Sequence, residues 1–124
     1  MTFCEKFNAL KKTYGETADF SAAPDGLAAQ IRLTDGDCGG TFYVAYFDGR
    51  AAIEPYDYRD HTVDVEIGSA LLETLLDGKK DPVSAFLAGE FGLDGDAGHA
   101  LALIEALKRR PRAAQKKKKH AAAV

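Results

Sequence analysis

At Ser69 the spacing of apolar residues changes from a period of two to one of about 3.6, and that change constrains the architecture the chain can adopt. Before it, LAAQIRLT (27–34) sets Leu27, Ala29, Ile31 and Leu33 against Ala28, Gln30, Arg32 and Thr34, which is the period of a strand with one buried face. TDGDCGG supplies a turn. TFYVAYFD (41–48) follows, with Phe42, Val44 and Tyr46 on one side and Tyr43, Ala45 and Phe47 on the other. Both sides are apolar, so this strand is expected to be central and covered on part of its second face. Asp48-Gly49 signals a hairpin into RAAIEPYDY, where Pro55 ends the strand or confines it to an edge. Val63, Val65 and Ile67 then alternate with Asp64 and Glu66, giving four strands expected to pair through hairpins.

From Ser69 the repeat lengthens to about 3.6 residues. Leu71, Leu72, Leu75 and Leu76 form a stripe, with Ser69 as the expected N-cap and Gly78 where a left-handed end costs least. DPVSAFLAGEF (81–91) predicts a helix capped by Asp81, opened by Pro82 and stopped by Gly89. Two turns cannot support themselves, so Val83, Phe86 and Leu87 are expected to pack against something. A short strand carrying Phe91 and Leu93 follows. Asp96 then caps a last helix, 97–110, with Ala100, Leu101, Ile104 and Leu107 as its buried side. At the other end, Phe3, Phe7 and Leu10 mark a helix over residues 2–14, a lid for the core. The order implies an α+β domain: about five strands, mostly antiparallel, with helices packed on one face.

Charge divides the chain. All 19 acidic residues lie at or before Glu105 alongside eight basic ones, a net of −11. Residues 108–124 hold the other eight basic residues and no acid, a net of +8. Pro111 and the Ala/Lys composition beyond it predict a folded domain over 1–110 and a disordered basic tail over 111–124. Lys116, Lys117, Lys118 and Lys119 suit an anionic membrane surface. Nucleic acid is a poor fit, because the tail has no aromatic residues and the body is acidic. The N-terminus MTFCEKFNALKK lacks the apolar run of a signal peptide and no stretch is long enough to span a membrane, so a cytoplasmic protein with reduced Cys4 and Cys38 is expected.

Catalytic motifs are missing. There is no GxSxG, HExxH, P-loop, or GxGxxG opening a helix after a buried strand. GLDGDAG (92–98) is glycine-rich, but Asp94 and Asp96 would repel a phosphate, and DGDAGHALALIE lacks EF-hand spacing. EPYDYRDH (54–61) gathers Glu54, Asp57, Asp60 and His61, and reads as a solvated loop; His61 and His99 read as solvated or capping residues. No catalytic residue, metal site or cofactor is expected. Three apolar helices over one small sheet leave two options: a solid core, or an apolar cavity between the layers.

VDVEIGSALLETLLDGKKDPVSAFLAGEFGLDGDAGHALALIEAL (63–107) resembles the sterol carrier protein type-two domain. The likeness rests on Asp64 between apolar residues, Leu71 to Leu76, Gly78-Lys79, Asp81-Pro82, Ala85-Phe86, Gly89, Phe91, Leu93 and Gly95-Asp96; GGTFYVAYFDGRAAIEPYDY (39–58) is similar to small bacterial members. The resemblance implies an apolar tunnel between sheet and helices that takes a sterol, fatty acid, acyl-CoA or similar lipid, with no catalytic residue. Each buried CH₂ of such a ligand is worth about 0.8 kcal/mol. From the helix faces, Phe42, Val44, Leu71, Leu75, Phe86, Leu87, Phe91, Leu101 and Ile104 are expected in the tunnel wall. A lipid carrier is the leading expectation. The alternative is an accessory module that docks on a partner, or on a second copy as a homodimer, through the same groove.

Overall fold

A computed structural model describes residues 2–108 of the chain. Helix α1 (Phe3–Leu10) starts at Thr2, whose hydroxyl accepts from the Glu5 amide while the Glu5 carboxylate accepts from the Thr2 amide. It runs on into a single π-helical turn, Lys11–Gly15. The sheet comprises β1 (Leu27–Leu33), β2 (Gly40–Phe47), β3 (Arg50–Glu54), β4 (Val63–Ile67) and β5 (Gly92–Gly95). The remaining helices are α2 (Ser69–Leu76), α3 (Pro82–Leu87) and α4 (Ala97–Leu107).

The strands lie in the order β3-β2-β1-β4-β5. Three pairings are antiparallel, but β4 runs parallel to β1, so the expected run of four hairpin strands is wrong at its last step. The cause is the path of residues 55–62. The Tyr58 ring lies 4.9 Å from that of Tyr43, and the Tyr58 amide donates to the Gln30 side-chain oxygen at 2.9 Å. Tyr43 and Gln30 sit on the outer faces of β2 and β1, so the chain crosses over both strands and emerges beyond β1. That crossing also supplies the partial cover expected on the second face of β2: Ala45 is buried and Tyr43 half-buried, while Phe47 stays exposed.

The inner face is apolar in register. Ile31 is flanked by Phe42 and Val65, and Ala29 by Val44 and Val63. α1, α2 and α4 cover this face: Phe7 meets Phe42 at 5.4 Å between ring centres, and Leu72, Leu75, Leu76, Leu103, Ile104 and Leu107 complete the core. Two polar links pin α1 and its π-turn to α2, Lys6 Nζ to Glu73 at 3.2 Å and Tyr14 Oη to Asp77 at 2.9 Å. Gly40 permits the Phe3 ring to lie on β2, because a Cβ there would meet that ring at 2.5 Å.

Four expectations need correction. Ser69 does not cap α2; Gly68 holds the N-cap position, and the orphan amide of Ser69 is met by Asp35 of the β1–β2 turn, at 2.8 Å, with the Ser69 hydroxyl donating to the same carboxylate at 3.0 Å. The buried side of α4 contains Leu103 in place of Leu101, because a helix facing the core at 100, 104 and 107 also faces it at 103. α4 stops at Leu107, with Lys108 already extended. Finally, α3 buries Ala85, while its Val83, Phe86 and Leu87 stay exposed, Phe86 with its ring against that of Phe91. The basic tail expected over 111–124 lies outside the described residues.

The hydrogen bonds from Ser69, chiefly its amide, hold the Asp35 carboxyl below the usual carboxylate range. Asp35→Ala should therefore cost about 0.5–2 kcal/mol in urea denaturation at pH 7. A lowered pKa gives stability that is complete above the unfolded value near ~3.9 and fades as pH falls toward the folded value, so the gap between wild type and variant should narrow below about pH 4.

Candidate functional site

An apolar cavity lies between the sheet and three helices. Phe7, Leu10 and Tyr14 of α1 and its π-turn form one wall, Leu72 and Leu76 of α2 with Leu103, Ile104 and Leu107 of α4 another, and Ile31, Phe42, Val44 and Ile53 the floor. The room inside is about 30 Å³. That accommodates about two waters and falls far short of the roughly 300–1,000 Å³ of a ligand-filled pocket. In this conformation the side chains nearly close the space.

The cavity shares a wall with an outer groove. Lys11, Gly15 and Ile53 line both the cavity and an open groove of about 370 Å³, whose other walls are Glu16, Ala18, Phe20, Ala51, Ala52 and Glu54. This shared wall, where a mouth would open, lies between the π-helical turn and the edge strand β3. It is tight: a Cβ on Gly15 would stand 3.1 Å from Ile53 Cδ1. Lys11 Nζ lies 6.0 Å from the centre of the Phe7 ring, at the rim. The Tyr14 hydroxyl is taken by Asp77, so the interior wall presents hydrocarbon.

Of the nine wall residues expected, Phe42, Val44 and Ile104 line the cavity. Leu75 is buried in the core and Leu71 half-buried against it, both away from the cavity. Phe91 is half-buried with its ring 5.7 Å from that of Phe86. Phe86 is 41% exposed, Leu101 40% and Leu87 78%. Sequence reasoning missed the contribution of α1 and chose the wrong edge of the α2 stripe. The signal was present in Phe3, Phe7 and Leu10; what the period could not tell was which side of a four-leucine stripe faces α1.

The polar clusters are used structurally. Asp35, Asp37 and Cys38 bring potential ligand atoms within 4.8 Å of one another, yet both Asp35 oxygens accept from Ser69. In the 54–61 segment, His61 Nδ1 lies 2.7 Å from the Tyr58 carbonyl oxygen and must donate to it. Burial, with Glu54 nearby, pushes the Tyr43 phenol up, away from an activated phenolate. His99 Nδ1 lies 2.7 Å from the Thr62 hydroxyl, which also bonds β1 at Ala28.

Neither the protein-family models nor the curated proteins give a match to this chain. Solved structures do. Sterol carrier protein 2 like 2 from Aedes aegypti aligns over 82% of this chain and 92% of its own with a TM-score of 0.58 at 18% identity. The chain has the sterol carrier protein type-two fold. A ubiquinone synthesis protein, UbiJ-SCP2, aligns over 86% of this chain and 88% of its own with a TM-score of 0.61 at 11% identity. The stereoselective inverting sec-alkylsulfatase Pisa1 from Pseudomonas sp. matches over 79% of this chain with a TM-score of 0.68 at 16% identity. This chain spans only 16% of that enzyme's length. The sterol carrier fold thus occurs both as most of a small chain and as a fraction of a large one.

Placement of the helices gives a direct contrast. Leu72→Ala, at the cavity wall, should cost about 2–5 kcal/mol in chemical denaturation. Leu87→Ala, on the exposed side of α3, should change stability by no more than about 0.5 kcal/mol.

Proposed function

We propose that the protein is a non-enzymatic carrier or presenter of a lipid, binding the apolar chain of a sterol, fatty acid, acyl-CoA or similar molecule between sheet and helices. The observation that carries this reading is the hydrocarbon-lined cavity, separated from an outer groove only by Lys11, Gly15 and Ile53, which line both. Loading requires the side chains at the mouth to part. An acyl chain that enters replaces contacts between side chains with contacts to itself and removes its own surface from water, at about 0.8 kcal/mol per CH₂. The sterol carrier fold supports the reading, and Asp35, His61 and Tyr43 are engaged in contacts that hold the fold. Free Cys4 and Cys38, the first of them exposed, suit a reducing compartment such as the cytoplasm.

The tightness of the cavity favours a second reading, an accessory module that docks on a partner or a second copy through the outer groove. The two readings separate in one experiment. Protein isolated gently and examined by native mass spectrometry should carry a lipid-sized adduct, and a fluorescent fatty acid at ~100 times its Kd should stabilise the fold by about 2.7 kcal/mol. Ile53→Trp, which narrows the mouth, should weaken probe binding while leaving the unfolding midpoint close to wild type. A lipid-free protein that binds neither fatty acid nor sterol probes would overturn the carrier reading; a concentration-dependent dimer in light scattering would support the docking module.

A further inference from the structure

Helix α3 is too short to stand alone, yet most of its apolar surface faces solvent. Val83 is 45% exposed, Phe86 41% and Leu87 78%, and Leu101 of α4 beside them is 40% exposed. These are four of the six large apolar side chains exposed among the described residues. Val83 and Leu101 line one groove, so the α3 and α4 contributions meet. The same groove is rimmed by Lys79, Lys80 and Lys108.

We infer that this face, with Leu87 at its tip and lysines at its rim, is the surface by which the protein rests on an anionic lipid bilayer. Two arguments select that occupant. The first is charge and the path of the chain. Lys108 lies against Gly78, where a Cβ would stand 3.0 Å from Lys108 Cε, so the chain continues from the edge of the patch. From Lys108 onward the sequence carries eight basic residues and no acid, while residues 1–107 total −11. Within the groove Asp81 and Glu105 offset most of the charge of the three lysines, so this face is close to neutral where the rest of residues 1–107 is strongly acidic, and the net positive charge comes from the segment that begins at Lys108 on its edge. Asp81 caps α3 at Ser84, Glu90 pairs with Lys80 and Glu105 lies 4.0 Å from Lys108, so two of the three rim lysines already face an acid and Lys79 with the segment beyond Lys108 carries the attraction.

The second argument is shape and composition. Residues 109–124 offer no Leu, Ile, Met, Phe, Tyr or Trp side chain to match the patch, and Val124 is their one large aliphatic residue. Protruding apolar tips beside lysines match a bilayer interface, where side chains enter the acyl boundary and ammonium groups meet phosphates. Protein interfaces concentrate their binding in packed pockets. The inference is independent of the cavity, since none of Val83, Phe86, Leu87 and Leu101 lines it.

The test is cosedimentation of the full chain with vesicles of phosphatidylcholine alone or mixed with phosphatidylglycerol. The protein should bind the mixed vesicles and not the neutral ones. Raising NaCl from about 0.1 M to about 1 M, which shortens the screening length from ~10 Å to ~3 Å, should release it. Leu87→Asp and Val83→Asp should each lower partitioning by about tenfold or more. Leu87→Ser, which adds no charge, should lower it in the same direction with an unchanged melting profile. Failure to bind the mixed vesicles would overturn the inference. So would full binding by the Leu87 variants while Lys116, Lys117, Lys118 and Lys119→Ser abolishes it, which would reduce the interaction to a tether. Loss of a dimer, and not of vesicle binding, in the same variants would assign the patch to a second copy.

Discussion

Strand β1 is paired along both edges, antiparallel to β2 and parallel to β4, and the rest of the fold depends on that double pairing. Its inner residues Leu27, Ala29, Ile31 and Leu33 are all essentially buried. The pairing forces β4 to arrive on the far side of β1 from β2, which sends residues 55–62 across the outer face and leaves the inner face to the helices. Thr62 then ties the end of that crossing to β1 through the amide and carbonyl of Ala28. The same residue reaches His99 of α4. One threonine therefore couples the crossover, the central strand and the helix that roofs it.

Much of this architecture was legible in the sequence because periods of two and 3.6 have simple physical causes. The approximate extent of β1, β2 and β4, the capping of α3 by Asp81 and of α4 by Asp96, and the left-handed Gly78 all follow from local rules, whereas β5 begins only at Gly92 and leaves the expected Phe91 outside it. What was not legible is long-range. Nothing near Ser69 in sequence reveals that its amide will be met by Asp35, 34 residues away. Nor does Pro55 say whether the chain turns back beside β3 or passes over the sheet; that depends on Tyr58 finding Tyr43 and Gln30.

The site shows the same division. Phe42 and Val44 were readable because a central strand's inner face must be buried. An apolar side chain on a short capped helix does not by itself imply a core partner. Ala85 meets that need at 0% exposure, Phe86 rests on Phe91, and Val83 and Leu87 are left exposed. An exposed apolar residue is ordinary when single; a contiguous set rimmed by lysines is a different observation.

The cavity is closed by contacts of unequal strength, and this determines where it can open. Leu76, Leu103, Ile104 and Leu107 belong to α2 and α4, which meet over the centre of the sheet and lose packing on all sides if they part. The mouth is different. Gly15 ends a π-helical turn, a geometry that is rare because its hydrogen bonding is less favourable, and it faces Ile53 on an edge strand with pairing on one side only. Beyond Phe7 and Leu10, this end of α1 is held by Tyr14 to Asp77 and, one turn earlier than Leu10, by Lys6 to Glu73. The ion pair is partly buried, with side-chain exposures of 17% for Lys6 and 39% for Glu73. Displacing the π-turn from β3 thus breaks fewer buried contacts than separating α2 from α4. Gly15 and Ile53 are, with Lys11, the residues that the cavity shares with the outer groove.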